Sequence, residues 1–205
     1  MRIAVVGGTG DFGLALAAVL AAAGEDVVVG SRDEARAREA AEPVGATGAT
    51  NEAAVAGADL VVLAVKADAA LDTATALAAA IGATPTLSVA SELRFSKSGV
   101  RPRASEQSLA EELAGILEGP VVAGLHSLAA STLAKGPADG DALVCGDDDE
   151  AKRLALELAA KVVTGRALDA GPLASARALE GMTAVIVNLN RRYKGHAGLR
   201  VTGLP

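Results

Sequence analysis

The stretch VVGGTGDFG, Val5 to Gly13, decides the fold, because the glycines Gly8, Gly10 and Gly13 stand between an apolar run and a helix-forming one. The spacing Gly-x-Gly-x-x-Gly carries meaning only when a strand precedes it and a helix follows. Both conditions are met. RIAVV, Arg2 to Val6, is the β-branched run of a parallel strand covered on both faces, and DFGLALAAVLAAAG, Asp11 to Gly24, reads as a helix closed by glycine. In such a turn Gly8 permits the tight bend, Gly10 lets backbone N–H groups approach a pyrophosphate, and Gly13 lets the helix pack close to the strand. The helix N-terminus adds partial positive charge, Thr9 offers a hydroxyl donor, and Asp11 and Phe12 complete the turn. Nucleotide binding is the expectation, against the alternative that the glycines only make a tight turn.

Working outward, the same alternation repeats. DVVVG, Asp26 to Gly30, reads as a strand, the segment around Asp33–Glu42 as a helix, GATGAT (45–50) as an outer strand, and NEAAVAG (51–57) as a brief helix. A strand at ADLVVLAV (58–65), a helix at 67–81 and a strand at TPTLSVA (84–90) follow. Alternation of this kind implies right-handed crossovers and an α/β, Rossmann-type, doubly wound, mainly parallel sheet. ELRFSKSGVRPRA, Glu92 to Ala104, is polar and aperiodic and reads as a loop. Beyond it, Ser108 and Glu111 form a capping box, GPVVAGL (119–125) is another strand of the sheet, and a small C-terminal α/β portion closes the chain. That portion holds a strand at ALVCG (142–146), a helix from about Asp148 to Val162, a short strand at 165–171 and a long helix opening at Pro172. The expected division is residues 1–125 as the nucleotide-binding domain and 126–205 as a smaller portion completing a second pocket and a dimer interface.

Composition narrows the partners. With 205 residues, 51% of them hydrophobic, a net charge of −6 and no basic block, the chain has ample core and no stripe suited to nucleic acid. No apolar run approaches the ~20 residues of a membrane span, Met1 leads directly into a strand, and the single Cys145 cannot form an internal disulfide, so a cytoplasmic protein with small-molecule substrates is expected. CGDDDE, Cys145 to Glu150, invites a metal site, but consecutive acids before a helix are better explained as an N-cap and first turn; no metal is expected. Cys145, at the end of an apolar strand, reads as packing.

At the end of the second strand an NAD-binding fold usually places a carboxylate for the ribose hydroxyls. Here Ser31 and Arg32 stand there, with Arg36 one turn along, a set suited to clamping an extra ribose phosphate, so NADP is favoured. Ser31 also suits an N-cap with Asp33 and Glu34 as first-turn acids, and Asp33 keeps NAD as the alternative. His126 follows the last strand of the sheet, within reach of the edge where a nicotinamide lies, while no Ser-His-Asp or Cys-His arrangement is readable. That leaves hydride transfer, in which the cofactor carries the chemistry.

Taken together, GGTGDFG, VVGSRDEAR, NEAAVAGADLVVLAV, Leu125-His126, VCGDDDEAKR, LDAGPLASARALEGMTAVIVNLNRRYK and HAGLR resemble the NADPH-dependent reductases of the deazaflavin coenzyme F420 over nearly the whole chain. The resemblance implies reversible hydride transfer between NADP(H) and F420 in a homodimer. It places Thr9, Ser31, Arg32 and Arg36 at the ribose phosphate end and His126, Leu128 and Ala130 at the rings; Val65 and Lys66, at the end of the 58–65 strand, are expected to contact the cofactor as well. Lys66-Ala67, Glu92 in SVASEL and SLAAS after the histidine depart from the family pattern. They keep open an NADPH reductase acting on another flavin, a quinone or a carbonyl compound, or a non-catalytic NADP sensor. Because their strands should be neighbours, Lys66 and Glu92 are expected to pair at the pocket mouth. The apolar MTAVIVNLN of the last helix is expected to form the dimer interface.

Overall fold

The computed structural model describes residues 1–204. Its eight-stranded sheet is built from β1 (Arg2–Val6), β2 (Asp26–Ser31), β3 (Thr47–Thr50), β4 (Leu60–Leu63), β5 (Thr86–Ser88), β8 (Val121–Gly124), β9 (Ala142–Gly146) and β10 (Ala167–Asp169). The order is β10-β9-β8-β5-β4-β1-β2-β3, parallel from β3 to β8, with β9 antiparallel to β8 and β10 parallel to β9. The chain crosses outward from β1 to β3, returns through β4, and continues on the other side. The carboxyl ends of β1 and β4 therefore flank the point where the winding reverses, which is where open α/β sheets bind ligands.

Residues along β1 alternate between two cores. Ile3 and Val5 pack with α1 (Asp11–Ala22) and α7 (Asp149–Val162), whereas Ala4 and Val6 pack with α3 (Asn51–Val55), α4 (Ala67–Ile81), α5 (Leu109–Ala114) and α8 (Ala176–Tyr193). A strand buried on both faces needs apolar residues at every position, which is why RIAVV does not alternate with polar ones. Each fully buried valine or leucine contributes about 1.5–3 kcal/mol. The capping box at Ser108 and Glu111 forms as expected, and Asp148 caps α7 by accepting from the Ala151 N–H at 2.8 Å.

Two expectations are corrected. The polar segment after Ser91 is not a loop but the hairpin β6 (Leu93–Ser96) and β7 (Gly99–Pro102), turning at Lys97-Ser98. Its weak apolar signal follows from its surroundings: one face meets solvent and the other meets α8, where Asn188 accepts from the Val100 N–H and donates to the Val100 carbonyl, both at 2.8 Å. The last helix begins at Ala176 rather than Pro172, after a 3-10 turn at Leu173–Ser175. A short helix, α6 (Ala130–Leu133), follows His126 and packs on α1, with Leu133 beside Ala22 and Ala23.

Candidate functional site

The glycine turn closes as a compact hook. The left-handed bend falls at Gly7, φ 72°, one residue before the Gly8 to which the sequence reading assigned it. Gly7 also lies against β4's continuation: a β-carbon there would sit 2.5 Å from Val65 Cγ1. At Gly13 a β-carbon would meet Gly8 Cα at 2.8 Å, so this glycine is required for helix and strand to approach, as expected. Gly10 is exposed, is the N-cap of α1 and has no side-chain cap. The first N–H groups of a 12-residue helix thus open beside exposed Asp11 and half-buried Thr9 and Phe12. Asn51, buried at the start of α3, accepts from the Gly7 N–H at 3.4 Å and fixes the hook from the β3 side. Nothing local in the sequence marks Asn51, whose role depends on a contact 44 residues away.

At the end of β2, Ser31 is buried and its hydroxyl accepts from the Asp33 N–H at 3.2 Å. The N-cap of α2 (Glu34–Ala41) is Asp33, not Ser31: its carboxylate accepts from the Arg36 N–H at 3.2 Å. The one acid at this position is therefore turned to a structural task. Arg32 and Arg36 are exposed and form no ion pair among the described residues, whereas Arg38 on the same helix is paired with Glu34.

The other half of the edge is built around His126. Leu125 adopts φ 66°, a conformation that costs a non-glycine residue about 1–3 kcal/mol, and the distortion turns the chain sharply as it leaves β8. His126 is 6% exposed, and burial alone pushes its pKa down to about 4, so the imidazole is neutral. Its Nδ1 lies 3.1 Å from Ser91 Oγ, Ser91 Oγ lies 2.7 Å from Thr183 Oγ1, and Thr183 donates to the His126 carbonyl at 2.8 Å. Neither Ser91 nor Thr183 was legible as a site residue. Ser91 lies three residues past β5, and Thr183 arrives only because α8 docks here. That docking is anchored by Asn188 on the hairpin and by Glu180, whose buried carboxylate accepts from the Leu109 and Ala110 N–H groups at 3.1 Å. Desolvation raises the Glu180 pKa.

Three of the six buried side-chain polar atoms without a hydrogen-bond partner among the described residues lie at this edge: Ser88 Oγ at the end of β5, and His126 Nε2 and Ser127 Oγ after β8. Native interiors leave few such groups, and each calls for an explanation. Val65, Leu128 and Ala130 are half-buried, and Leu128 packs on the same core as Phe12. Lys66 is exposed and is the N-cap of α4.

The expected Lys66–Glu92 pair does not form. β4 and β5 are neighbours as required, but the hairpin returns the chain so that Arg103 meets Glu92. Arg103 donates to Glu92 at 2.7 Å and also binds Glu112, and its backbone N–H donates to the Glu92 carbonyl at 2.9 Å. A forked guanidinium shared by two carboxylates outcompetes a lone ammonium. Cys145 is packing, as read: it is fully buried and burial pushes its thiol up to about 12. Of the three aspartates that follow it, Asp148 caps α7 and Asp147 accepts from the Leu173 N–H at 2.9 Å.

The chain has relatives among known proteins. Residues 2–91 match the family described as NADP oxidoreductase, coenzyme F420-dependent. The chain is 37% identical to the F420-dependent NADP reductase of Methanothermobacter marburgensis, with the whole of both chains covered. It is 32% identical to that of Methanocaldococcus jannaschii, covering all of this chain and 99% of the relative. A crystal structure of a candidate F420-dependent NADP-reductase from Arthrobacter sp. FB24 superposes with a TM-score of 0.82 at 26% identity, over all of both chains. Identity of 32–37% over the full length of the chain, on the same fold, assigns the chain to the F420-dependent NADP oxidoreductases.

Proposed function

We propose that this edge of the sheet binds NADP(H) and coenzyme F420 side by side and that the chain is an oxidoreductase passing a hydride between them. The observation that carries the reading is the convergence on one sheet edge of an uncapped helix N-terminus over a glycine hook, two unpaired arginines, and a buried histidine with an unmatched nitrogen. These residues fit both groups. The N–H groups of Asp11 to Gly13 and the Thr9 hydroxyl suit a pyrophosphate, the Gly10 N–H being engaged by the Gly7 carbonyl at 3.2 Å. Arg32 and Arg36, with Ser31 beneath them, suit a ribose phosphate, and Asp33 is directed into the helix cap. Val65, Leu128 and Ala130 supply half-buried apolar walls for flat rings, and His126 supplies a neutral polar group.

When both are bound, the nicotinamide and the central ring of the deazaflavin supply the hydride chemistry themselves. The chain's contribution is orientation and exclusion of water, the dominant resources when the redox groups carry the reaction. Lys66, left unpaired because Glu92 is engaged elsewhere, meets an anionic group on the acceptor. Residues 1–125 hold NADP, and residues 126–205 complete the acceptor pocket and the interface of a homodimer.

Support for the dimer comes from the outer face of α8. Val185, Leu189 and Tyr193 follow at i, i+4 and i+8, and Val185 and Tyr193 are 56% and 73% exposed. Among the described residues no helix is long and apolar enough to cross a membrane, and we place the protein in the cytoplasm. The test is NADPH oxidation followed with F420, a flavin and a quinone in parallel. Turnover with F420 alone supports the reading; turnover only with another acceptor, or with none, overturns it.

A further inference from the structure

We infer that Ser91 and Thr183 are positioning residues that hold His126 in one neutral tautomer, with the proton on Nδ1, so that Nε2 offers its lone pair to an N–H of a ring bound beside it. The inference deepens the function proposed above and rests on it for the identity of the ring.

The argument is a count of protons. A threonine hydroxyl has one proton, and that of Thr183 goes to the His126 carbonyl at 2.8 Å, which has none to give in return. The 2.7 Å contact between Thr183 Oγ1 and Ser91 Oγ therefore takes the proton of Ser91. Ser91 is left with only lone pairs for Nδ1 at 3.1 Å, so the imidazole must donate there. The opposite tautomer would place two lone pairs face to face at that distance. The ring closes on itself: the His126 side chain donates to Ser91, Ser91 to Thr183, and Thr183 to the His126 backbone. Burial keeps the second proton off the imidazole, with a pKa of about 4. Nε2 is thus an acceptor, and it has no partner within the described residues.

An unmatched buried acceptor is costly, and the relay makes that cost specific to one kind of ligand edge. A ring carbonyl presented to Nε2 would be repelled, whereas an N–H would be bound. Both the carboxamide of nicotinamide and the pyrimidine edge of a deazaflavin carry such a group. Nε2 is sealed from water without ligand, so an arriving N–H must part the chain covering it, and the event leaves a mark on the nitrogen itself.

The test uses the intact protein labelled with 15N-histidine. With only His126 and His196 in the chain, the ring nitrogens are assignable by a His196→Gln control. The expected result for the ligand-free protein is a pyrrole-type Nδ1 and a pyridine-type Nε2 for His126 at pH 7; a protonated Nε2 overturns the inference. Thr183→Val, which frees the Ser91 proton, is expected to give a mixture of tautomers, and Thr183→Ser to restore one; an unchanged tautomer in Thr183→Val overturns the relay even where the wild-type signal agrees. Adding NADP and F420 separately identifies the ring by which one shifts the Nε2 resonance, and no shift with either overturns the ligand half. In kinetics, Thr183→Val is expected to raise KM for that ring's owner about fivefold, the loss of roughly one hydrogen bond, with a smaller change in kcat. A correct tautomer without F420 turnover sinks the proposed function and leaves the relay; turnover with the wrong tautomer does the reverse.

Discussion

Replacing Arg32 by alanine tests the cofactor end of the site. The guanidinium is exposed, has no partner among the described residues, and lies outside the α2 cap formed by Asp33 and the Arg36 N–H, so its loss disturbs no contact of the fold. A charge-assisted bond to a phosphate contributes about 1.5–3 kcal/mol, and exposure places this one at the low end. About 1.4 kcal/mol is a factor of ten, so the dissociation constant for NADP should rise roughly tenfold while that for NAD stays within about twofold. Titration calorimetry with both nucleotides reads the ratio. Raising the salt concentration should shrink the wild-type preference, and Arg32→Ala, which keeps Arg36, should show a shallower salt dependence. Arg38→Ala is the control: Arg38 lies on the same helix but is paired with Glu34, and its removal should leave the ratio unchanged. If Arg32→Ala weakens NADP and NAD equally, or neither, the reading of the β2 end is wrong.

Three further outcomes follow from the geometry. Because the unfolded chain takes up a proton on His126 near pH 6.5 and the folded chain only near 4, stability should fall as pH drops through that window, by up to about 3 kcal/mol. Urea midpoints compared with His126→Gln, which lacks this dependence, isolate the effect; parallel pH profiles would refute it. Gly13→Ala drives a β-carbon to 2.8 Å from Gly8 Cα, and should cost at least tenfold in NADP affinity, seen by fluorescence titration of NADPH, unless the hook opens without consequence. The double variant Val185→Glu and Leu189→Glu on the exposed stripe of α8 should convert a dimer to monomer in light scattering; a wild-type monomer at micromolar concentration contradicts the proposed interface.

What was legible in the sequence was what local chemistry determines. The β-branched run before Gly8, the helix formers after Gly13 and the turn between them interact within a dozen residues, and each preference agrees with the others. His126 was legible by position, since a polar residue just beyond an apolar strand lies at the sheet edge. Ser91, Thr183 and Asn51 were not, because their partners are 35, 57 and 44 residues away and hydroxyls and amides carry no periodic signal. The expectation for Lys66 and Glu92 failed for a related reason. Strand adjacency was inferred correctly, but the hairpin that delivers Arg103 to Glu92 has one solvent face and so resembled a loop. Ser31 was displaced from its expected cap because Asp33, two residues on, is where the helix geometry begins.

The central claim, direct passage of hydride between two rings held at this edge, is tested most directly by following the label from NADPH carrying deuterium at the reactive face of its nicotinamide. With F420 as acceptor in ordinary water, mass spectrometry of the reduced deazaflavin should find the deuterium on its ring carbon in nearly every molecule formed. Reduced deazaflavin carrying hydrogen from solvent at that carbon, or no reduction at all, would contradict the account.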